Sequence, residues 1–438
     1  SAALHCRRLR IPLPAGDALM RHCLHTISRR LLVVTVLLGW LGTIAAAEPA
    51  GEAAAGPLAW PVFRGTPAGT GRSRVTLRLP LREHWQRHFE GRSFTATPVI
   101  AAGRVYLGDL DGGFLALSLD TGKTSWEFQS NDSGFPSAAA VSTTDALPLV
   151  VVGDDLGIIR AFDRSSGRLV WTAETTGEIS GGPTILADRD PPIVLVGSQD
   201  ATLRCLRVTD GQTVWTHEIA DQIRCSPTVG TSPDGERVFL AGCDGRLHII
   251  AVDTGKAVAE VPLGGPTGTT PAVAGSKVFF GTEGGRFFAI DFVSGKVAWE
   301  HQPAANGLAY RSSAAVAGGL VVVGSRGRVV EAFAADDGSR RWQRPLRGRV
   351  DASPVLISAV DERLNGGEAT PVAVVPDTAG RISMLRLSDG EPCWEFDAGG
   401  SFAGSAAVVA DRLVVASEDG TVWCFRSGPA GGTGNSGR

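Results

Sequence analysis

One sequence unit recurs along this chain, and tryptophan marks it. Seven tryptophans follow one another at gaps of 41, 45, 44, 84, 43 and 52 residues. They are Trp85, Trp126, Trp171, Trp215, Trp299, Trp342 and Trp394. The gap of 84 residues holds two units, and Ala259 stands there in the tryptophan position. A period of about 20 to 50 residues is typical of solenoids, propellers and other repeat architectures.

Within each unit the order of short strands and turns is constant. In the first unit a small-residue strand at 97–100 precedes a β-branched strand at 105–108, an Asp-Gly turn at 111–112 and a third strand at 114–119. An Asp-x-x-Gly turn and a fourth strand ending at tryptophan complete the unit. Glycine supplies 56 of the 438 residues, well above its usual share of about 7%. Asp-Gly between apolar runs predicts a hairpin, and four antiparallel strands per unit predict the blade of a β-propeller.

Counting the first strands predicts an all-β fold, an eight-bladed propeller with four antiparallel strands per blade. These strands begin near Thr97, Ser137, Gly182, Ser226, Thr270, Ser313, Ser353 and Ser405. The eighth unit ends after three strands, whereas one unpartnered tryptophan strand at 83–89 precedes the first unit. We therefore expect the strand around Trp85 to complete blade eight and close the ring, since an open ring would expose unpaired strand edges.

The tryptophans and the cysteines are both interpreted as structural residues. An indole on an outer strand can pack between neighbouring blades, over a glycine turn where no side chain intervenes, and buries about 150–250 Å². Five cysteines follow the N-terminal region, and no two of them have the spacing of zinc ligands. They are Cys205, Cys225, Cys243, Cys393 and Cys424. We expect buried single thiols, and a disulfide stays open as an alternative in an oxidising compartment.

The two ends of the chain differ from the repeats. Residues 31–47 form an apolar run after Arg29-Arg30 and end in small residues, which predicts a secretory signal peptide over 1–47. An uncleaved anchor is the alternative, and Met20 offers a start that would make residues 1–19 upstream sequence. A lead-in segment at 48–80 then precedes the propeller at 81–426, and a Gly/Ser-rich tail at 427–438 is expected to be disordered.

The distribution of charge argues against a nucleic-acid partner. Of 42 basic and 45 acidic residues, the first 47 positions hold six arginines and one aspartate, which leaves 36 basic and 44 acidic residues in the body. A body with net charge −8 has no bulk electrostatic basis for nucleic-acid binding, which depends on clustered lysine and arginine. We expect no nucleic-acid partner, and no membrane span once the leader is cleaved.

The phrase Ala-x-(Ser/Asp)-x-x-(Thr/Ser)-Gly-Lys-x-x-Trp, clearest at 116–126 and 289–299, resembles the repeat of pyrroloquinoline-quinone (PQQ) propeller proteins. The resemblance covers about residues 83–426. The opening phrase at 60–65, Trp-Pro-Val-Phe-Arg-Gly, looks like the lead-in of exported bacterial PQQ-like proteins. This family contains quinoprotein dehydrogenases that bind PQQ and Ca²⁺, and binding scaffolds without the cofactor. The scaffolds are typified by the propeller lipoprotein of the outer-membrane β-barrel assembly machinery.

Departures from the enzymatic pattern favour the scaffold branch. Many of the alcohol dehydrogenases stack PQQ against a disulfide between adjacent cysteines, and this chain has no Cys-Cys pair. The units are compact, and no motif matches the ligands of the family's calcium site. The histidines are scattered without metal spacing, and no Gly-x-Ser-x-Gly nucleophile elbow is present. We therefore predict no catalytic residues, no metal site and no cofactor, and keep PQQ and calcium only for the dehydrogenase alternative.

A binding site is expected where the innermost strands begin, at one mouth of the central channel. When the eight units are aligned at this point, two neighbouring positions give two series of residues, one from each position. Side chains at neighbouring positions point to opposite sides of a strand. The polar series contains Phe135, Arg224, Arg311 and Asp351, and Tyr310 belongs to the apolar series. We predict that these five residues line the mouth and hold an acidic or peptide ligand, because arginine pairs well with carboxylate. Solvated rim charge is the alternative.

Together these features predict an exported, monomeric propeller of the bacterial periplasm or extracellular space that binds proteins as a scaffold. The alternatives are a PQQ- and calcium-dependent dehydrogenase and a sensor for a small ligand or carbohydrate.

Overall fold

The tryptophan-marked units fold into eight sheets of a β-propeller in the computed structural model, which describes residues 59–302, 308–362 and 366–428. This confirms the predicted architecture. The predicted leader at 1–47 and the tail beyond residue 428 lie outside the described residues, and the lead-in segment is described from residue 59 onwards. Within the described part of the chain, no helix has the length and hydrophobicity to cross a membrane.

The first two strands of the chain precede the blades. They are β1 (Arg72–Arg78) and β2 (Arg82–His88). Blades one to four follow in order, each with four strands. Their strands are β3 (Val99–Ala101), β4 (Arg104–Gly108), β5 (Gly113–Ser118), β6 (Thr124–Gln129), β7 (Ala140–Val141), β8 (Leu149–Gly153), β9 (Ile158–Asp163), β10 (Leu169–Glu174), β11 (Thr184–Leu186), β12 (Ile193–Gly197), β13 (Thr202–Arg207), β14 (Thr213–Glu218), β15 (Thr228–Ser232), β16 (Gly235–Ala241), β17 (Arg246–Ala251) and β18 (Ala257–Pro262).

Blades five to seven also have four strands each, and blade eight takes three from the end of the chain. Their strands are β19 (Ala272–Ala274), β20 (Lys277–Gly281), β21 (Phe287–Asp291), β22 (Lys296–His301), β23 (Ala315–Ala317), β24 (Leu320–Ser325), β25 (Val329–Ala334), β26 (Arg340–Pro345), β27 (Val355–Val360), β28 (Ala369–Pro376), β29 (Arg381–Arg386), β30 (Pro392–Asp397), β31 (Ala407–Val409), β32 (Arg412–Ala416) and β33 (Thr421–Arg426). Neighbouring strands within a blade are antiparallel, so each blade is a meander from the channel outwards.

The ring closes as the sequence predicts, with an N-terminal strand as the outer strand of blade eight. Strand β2 pairs antiparallel with β33, and Trp85 lies opposite Cys424. Below this pair, Arg78 N–H donates to Ser427 Oγ at 2.9 Å. Both chain ends therefore contribute to one sheet, and neither leaves a β edge open between the first and last blades.

From residue 60 onwards, the lead-in segment runs along the innermost strands through the central channel. Strand β1 pairs parallel with β27, the innermost strand of blade seven. Upstream, backbone carbonyls of residues 60–71 accept N–H groups from the innermost strands of six blades. These N–H···O=C bonds are Ile100 to Trp60, Val141 to Pro61, Val229 to Pro67, Val273 to Ala68, Val316 to Thr70 and Leu356 to Gly71, all at 2.7–2.8 Å. Residues 60–71 are called the channel segment below.

Six blade interfaces share one tryptophan–glycine contact. The indole on each outer strand lies over the glycine of the turn between the third and fourth strands of the next blade, so closely that a Cβ on that glycine would come within 2.8 Å of the ring. Each indole N–H also donates to the backbone carbonyl three residues before that glycine, at 2.7–3.1 Å. The pairs are Trp85–Gly122, Trp126–Gly167, Trp171–Gly211, Trp215–Gly255, Trp299–Gly338 and Trp342–Gly390.

Burial follows strand position within the blade. The second and third strands are buried on both faces, as in β8, because each blade is covered by a neighbour on either side. The outermost strands alternate, as in β10, where Trp171 is buried between exposed residues. The five described cysteines are free, and those at 205, 225 and 424 are buried. Single thiols are therefore present as expected, but burial holds for these three, since Cys243 and Cys393 are half-buried.

Candidate functional site

A polar cavity of about 160 Å³ lies on the axis of the propeller. Two layers of residues from the start of the innermost strands form its wall, one residue of each layer from every blade. The outer layer is Thr95, Pro136, Ser180, Arg224, Gly268, Arg311, Asp351 and Ala403. The inner layer is Thr97, Ala138, Gly182, Ser226, Thr270, Ser313, Ser353 and Ser405. Because side chains alternate along a strand, residues two apart in each blade face the same channel.

Hydroxyl groups of the inner layer join blade to blade. The backbone N–H of each residue donates to the side-chain oxygen of its equivalent in the next blade, at 2.8–3.0 Å. This chain of bonds runs from Ser226 to Thr270, Ser313, Ser353, Ser405 and Thr97. The chain stops at blades two and three, where Ala138 and Gly182 carry no hydroxyl.

The hydroxyl chain makes the inner layer rich in hydrogen-bond donors. A serine or threonine oxygen that accepts a backbone N–H keeps its own proton for a second bond. Among the described residues, no protein acceptor takes the O–H of the five accepting hydroxyls, from Thr270 round to Thr97. The wall can therefore donate to a group placed on the axis, and a carboxylate accepts such bonds strongly.

Three charged side chains stand at the outer layer. Arg224 lies exposed and donates to Gln222 Oε1 at 2.6 and 3.0 Å. The guanidinium of Arg311 lies 3.1 Å from Glu283 Oε1. The carboxylate of Asp351 is held by two bonds from Arg326, at 3.0 and 3.2 Å. Arg224 is exposed and bound to a neutral amide, and the exposed ion pair of Arg311 contributes only about 0–1 kcal/mol, so both arginines can exchange their partners for a ligand at small cost.

Two predicted mouth residues lie elsewhere. Phe135 is fully buried, packed against Phe114 at 5.6 Å between ring centroids. Tyr310 is buried as well, and its hydroxyl donates to Glu331 Oε2 at 2.7 Å. Burial beside this carboxylate raises the pKa of Tyr310. Both rings therefore belong to the core between blades, and Arg224, Arg311 and Asp351 are the three predicted residues that the structure brings together at the mouth.

Phe135 was wrongly placed at the mouth because the sequence alignment of blade two was shifted by one residue. The sequence alignment of blade two used Ser137 as the start of the strand, whereas the structure places Ala138 in the inner layer and Pro136 in the outer one. Phe135 then matches Phe94 in blade one, 41 residues earlier, the same distance that separates the first two tryptophans. The tryptophan spacing could have given the correct register.

The residues that match Phe135 explain the glycine near the end of the second strand in five blades, at Gly108, Gly153, Gly197, Gly281 and Gly324. A Cβ at Gly108 would lie 2.4 Å from the Cβ of Phe135, and Gly281 has the same relation to Tyr310 at 2.2 Å. The apolar residue of the incoming linker thus sits on the backbone of the preceding blade. The residue that follows in the linker belongs to the outer layer. This contact therefore holds the outer layer at the cavity wall.

The channel segment closes the inner end of the cavity, where Phe63 contributes to the lining. The adjacent Arg64 is fully buried, and its Nη2 donates to Ala314 O at 2.8 Å. Its Nε and Nη1 have no hydrogen-bond partner among the described residues. Burial lowers the pKa of Arg64 to about 9, which leaves the guanidinium protonated at neutral pH. A buried cation below a donor-rich wall favours anionic over cationic occupants of the cavity.

The cavity does not fit PQQ, a flat tricyclic quinone with three carboxylates. Sites for molecules of that size usually measure about 300–1,000 Å³ and offer apolar and aromatic walls. Here the volume is about 160 Å³, and Phe63 is the aromatic residue of the described lining. Among the described residues, no group of three or more His, Cys, Asp or Glu is arranged to hold a metal ion. The expectation of no bound cofactor stays a prediction.

A family model and a curated relative of this chain carry the same description. The family model described as outer membrane protein assembly factor BamB matches residues 81–199, 155–232, 199–355 and 332–428. The protein of that name from Xanthomonas campestris pv. campestris is 32% identical over 91 residues, which is 20% of this chain and 22% of that relative. The chain thus matches less than a quarter of the length of this curated relative.

Solved structures share the fold at low identity. BamB from Moraxella catarrhalis is 18% identical with a TM-score of 0.61, over 79% of this chain and 99% of that one. A europium-containing methanol dehydrogenase is 12% identical with a TM-score of 0.65, over 84% and 98%. The computationally designed Ika8 protein is 16% identical with a TM-score of 0.62, over 79% and 99%. At these identities the likeness concerns the fold alone.

Proposed function

Because this chain belongs to the PQQ-like repeat family described as outer membrane protein assembly factor BamB, we propose that it is an exported scaffold that binds proteins in the bacterial cell envelope. The observation that carries the proposal is the cavity at the channel mouth. Arg224 and Arg311 stand at its mouth and can exchange their present partners for a ligand, and hydroxyl donors line its wall. The channel segment closes its inner end.

The partner engages the mouth with an acidic group. A cavity of about 160 Å³ accepts one side chain or a chain end rather than a whole peptide. A carboxylate of an aspartate, a glutamate or a C-terminus would accept from the hydroxyl wall and pair with Arg224 and Arg311. Charge-assisted bonds to arginine are stronger than neutral ones. The surrounding Asp-Gly hairpins of the blades then supply the wider contact area that a stable protein interface needs.

A double variant tests this proposal. Arg224→Ala/Arg311→Ala removes both cations from the mouth and leaves the buried hydroxyl chain in place. Arg168→Ala/Arg341→Ala is the matched control, because both arginines are exposed on outer parts of the blades. Wild type and both variants are crosslinked in the native envelope and their partners quantified by mass spectrometry. The mouth variant is expected to lose its enriched partners at least about tenfold, which corresponds to about 1.4 kcal/mol. If both variants keep the same partners, the mouth is not the binding site.

The dehydrogenase alternative is supported by the structural likeness to a methanol dehydrogenase, and it has a direct test. Purified protein is mixed with PQQ and Ca²⁺ and followed for a bound chromophore and for dye-linked oxidation of alcohols and sugars. The scaffold proposal expects neither signal, and either one would replace it. A thermal-shift screen with small carboxylates and sugars separates a sensor for a small ligand from a protein scaffold.

A further inference from the structure

One blade interface lacks the tryptophan that the other repeats use. Ala259, in the outer strand β18 of blade four, stands in the tryptophan position, and Gly295 in the turn of blade five is the equivalent of the glycines that the tryptophans contact at the other interfaces. No atom of another residue lies within 4 Å of the place where a Cβ on Gly295 would be. At six other interfaces an indole ring comes within 2.8 Å of that place. The space above Gly295 is therefore open.

The open slot keeps two features of the filled ones, a glycine floor and a carbonyl at the equivalent position, although Gly295 N–H lacks the bond to the carbonyl four residues earlier that the six other turn glycines make. Its floor is a glycine with φ of 68°, like the glycines under the indoles. The carbonyl three residues before that glycine belongs to Phe292 and is the equivalent of the six carbonyls that accept indole N–H groups. The ring of Phe292 is buried against Phe239 at 4.8 Å between centroids. Since residue 259 is alanine, no indole of this chain's repeat reaches that carbonyl.

Apolar side chains surround the slot on its solvent side. Val258, Val293 and Val297 are 51%, 57% and 44% exposed. Val258 is not distinctive, because Val170 and Val214 hold the same position beside filled slots and are 37% and 48% exposed. Val293 is distinctive, because two residues before the turn glycine the six filled interfaces carry polar side chains. These are Asp120, Ser165, Thr209, Asp253, Asp336 and Ser388. An exposed valine in this turn adds apolar surface next to the unfilled slot.

We propose that the slot between blades four and five receives a tryptophan side chain of a protein partner. The six filled interfaces of the same molecule identify the occupant, because each shows a flat ring on the glycine and an N–H on the carbonyl. Tryptophan is also the residue that most often anchors protein interfaces, since it combines a large apolar area with one polar group. The inference rests on the proposed scaffold function for the source of the indole, but the slot itself is tested without any partner.

The test uses the full chain and a small probe, 5-fluoro-N-acetyltryptophanamide, followed by ¹⁹F NMR titration. The variant Ala259→Trp fills the slot with an indole of the chain. Thr216→Trp is the matched control, because it adds an indole at an exposed position of the outer strand β14. Wild type and the control are expected to bind the probe equally. Ala259→Trp is expected to weaken binding at least about tenfold and to raise the melting temperature.

Each result has a defined meaning. If Ala259→Trp binds the probe as wild type does, or if wild type binds no probe, the slot is not a tryptophan site. A lower melting temperature of Ala259→Trp would show that the slot is too small for an indole and would also overturn the proposal. The mouth variant Arg224→Ala/Arg311→Ala should bind the probe normally. Failure of the scaffold function at the mouth is thus distinguishable from failure of the slot.

Discussion

The closure of the ring can be tested by removing one indole at the seam. Trp85 belongs to the N-terminal strand β2, and its ring lies over Gly122 of blade one. Its Nε1 donates to Leu119 O at 2.8 Å. The same residue therefore ties blade eight to blade one and keeps the N-terminal strand in its sheet. We expect Trp85→Ala to destabilise the whole propeller.

The magnitude follows from the buried area. An indole buries about 150–250 Å², and at about 25 cal/mol per Å² this amounts to about 4–6 kcal/mol. Partial relaxation around the cavity and the remaining methyl group reduce the loss, so Trp→Ala replacements in protein cores cost about 3–5 kcal/mol. The free energy of unfolding of Trp85→Ala should fall by that amount.

Trp342→Ala is the matched control within the same chain. Both tryptophans are 8% exposed, and Trp342 makes the same contact with Gly390 and an equivalent bond to Leu387 O at 2.7 Å. Urea unfolding should show similar losses for both variants, whereas hydrogen exchange of the β2 amides should accelerate only in Trp85→Ala. A loss below about 1 kcal/mol for Trp85→Ala, within the range of ordinary surface changes, would refute the closure argument.

Three further predictions concern the hydroxyl chain, the half-buried His301 and the thiols. Ser313→Ala leaves the buried Thr270 N–H without its acceptor and should cost about 1–3 kcal/mol in urea unfolding. Burial lowers the pKa of His301 below its usual 6.5, so the unfolded chain takes up its proton first as the pH falls. Stability should therefore decrease from pH 7 to pH 5, and His301→Phe should reduce this decrease in thermal melts. Iodoacetamide at pH 8 should label half-buried Cys243 and Cys393 before the buried thiols, whose pKa burial raises to about 12, as mass spectrometry would show. The buried thiols are Cys205, Cys225 and Cys424.

Each of these experiments has an internal control. Ser276→Ala changes a hydroxyl on an exposed turn and should leave the unfolding midpoint unchanged. His301→Gln, which also removes the titrating ring, should reduce the loss of stability at low pH in the same way as His301→Phe. Full labelling of all five thiols in urea shows that the reagent is sufficient. Equal labelling rates in the folded state would contradict the burial argument, as would an unchanged pH profile for His301→Phe.

The fold was predictable because its signals are local and repeated. Asp-Gly turns, strand-ending glycines and the tryptophan period define eight meanders without knowledge of any distant contact. Closure by the strand around Trp85 followed from counting strands, since three strands at one end and one at the other complete a blade. The channel segment was missed because its contacts are backbone bonds to six separate blades, which leave no periodic side-chain pattern.

The site was predictable only in part. Arg224, Arg311 and Asp351 stand out because charged residues interrupt a series of small ones at a fixed register. Phe135 was misplaced because blade two has small residues at 137–140 that allow two alignments. The hydroxyl chain could not be foreseen from composition, because its direction depends on how each blade tilts toward its neighbour.

The path of the channel segment constrains the order in which this protein can mature. Its residues and strands β1 and β2 emerge early in synthesis, but their partners in β27 and β33 emerge near the end. Arg78 bonds to Ser427, 349 residues later. Contacts of such sequence separation form slowly, and incomplete chains expose apolar surface that favours aggregation. The ring therefore stays open until blade eight has formed. A chain shortened before β33 would lack the pairing of β2 with β33, and β2 would have no partner strand. Closure of the ring thus depends on β33, the last described strand.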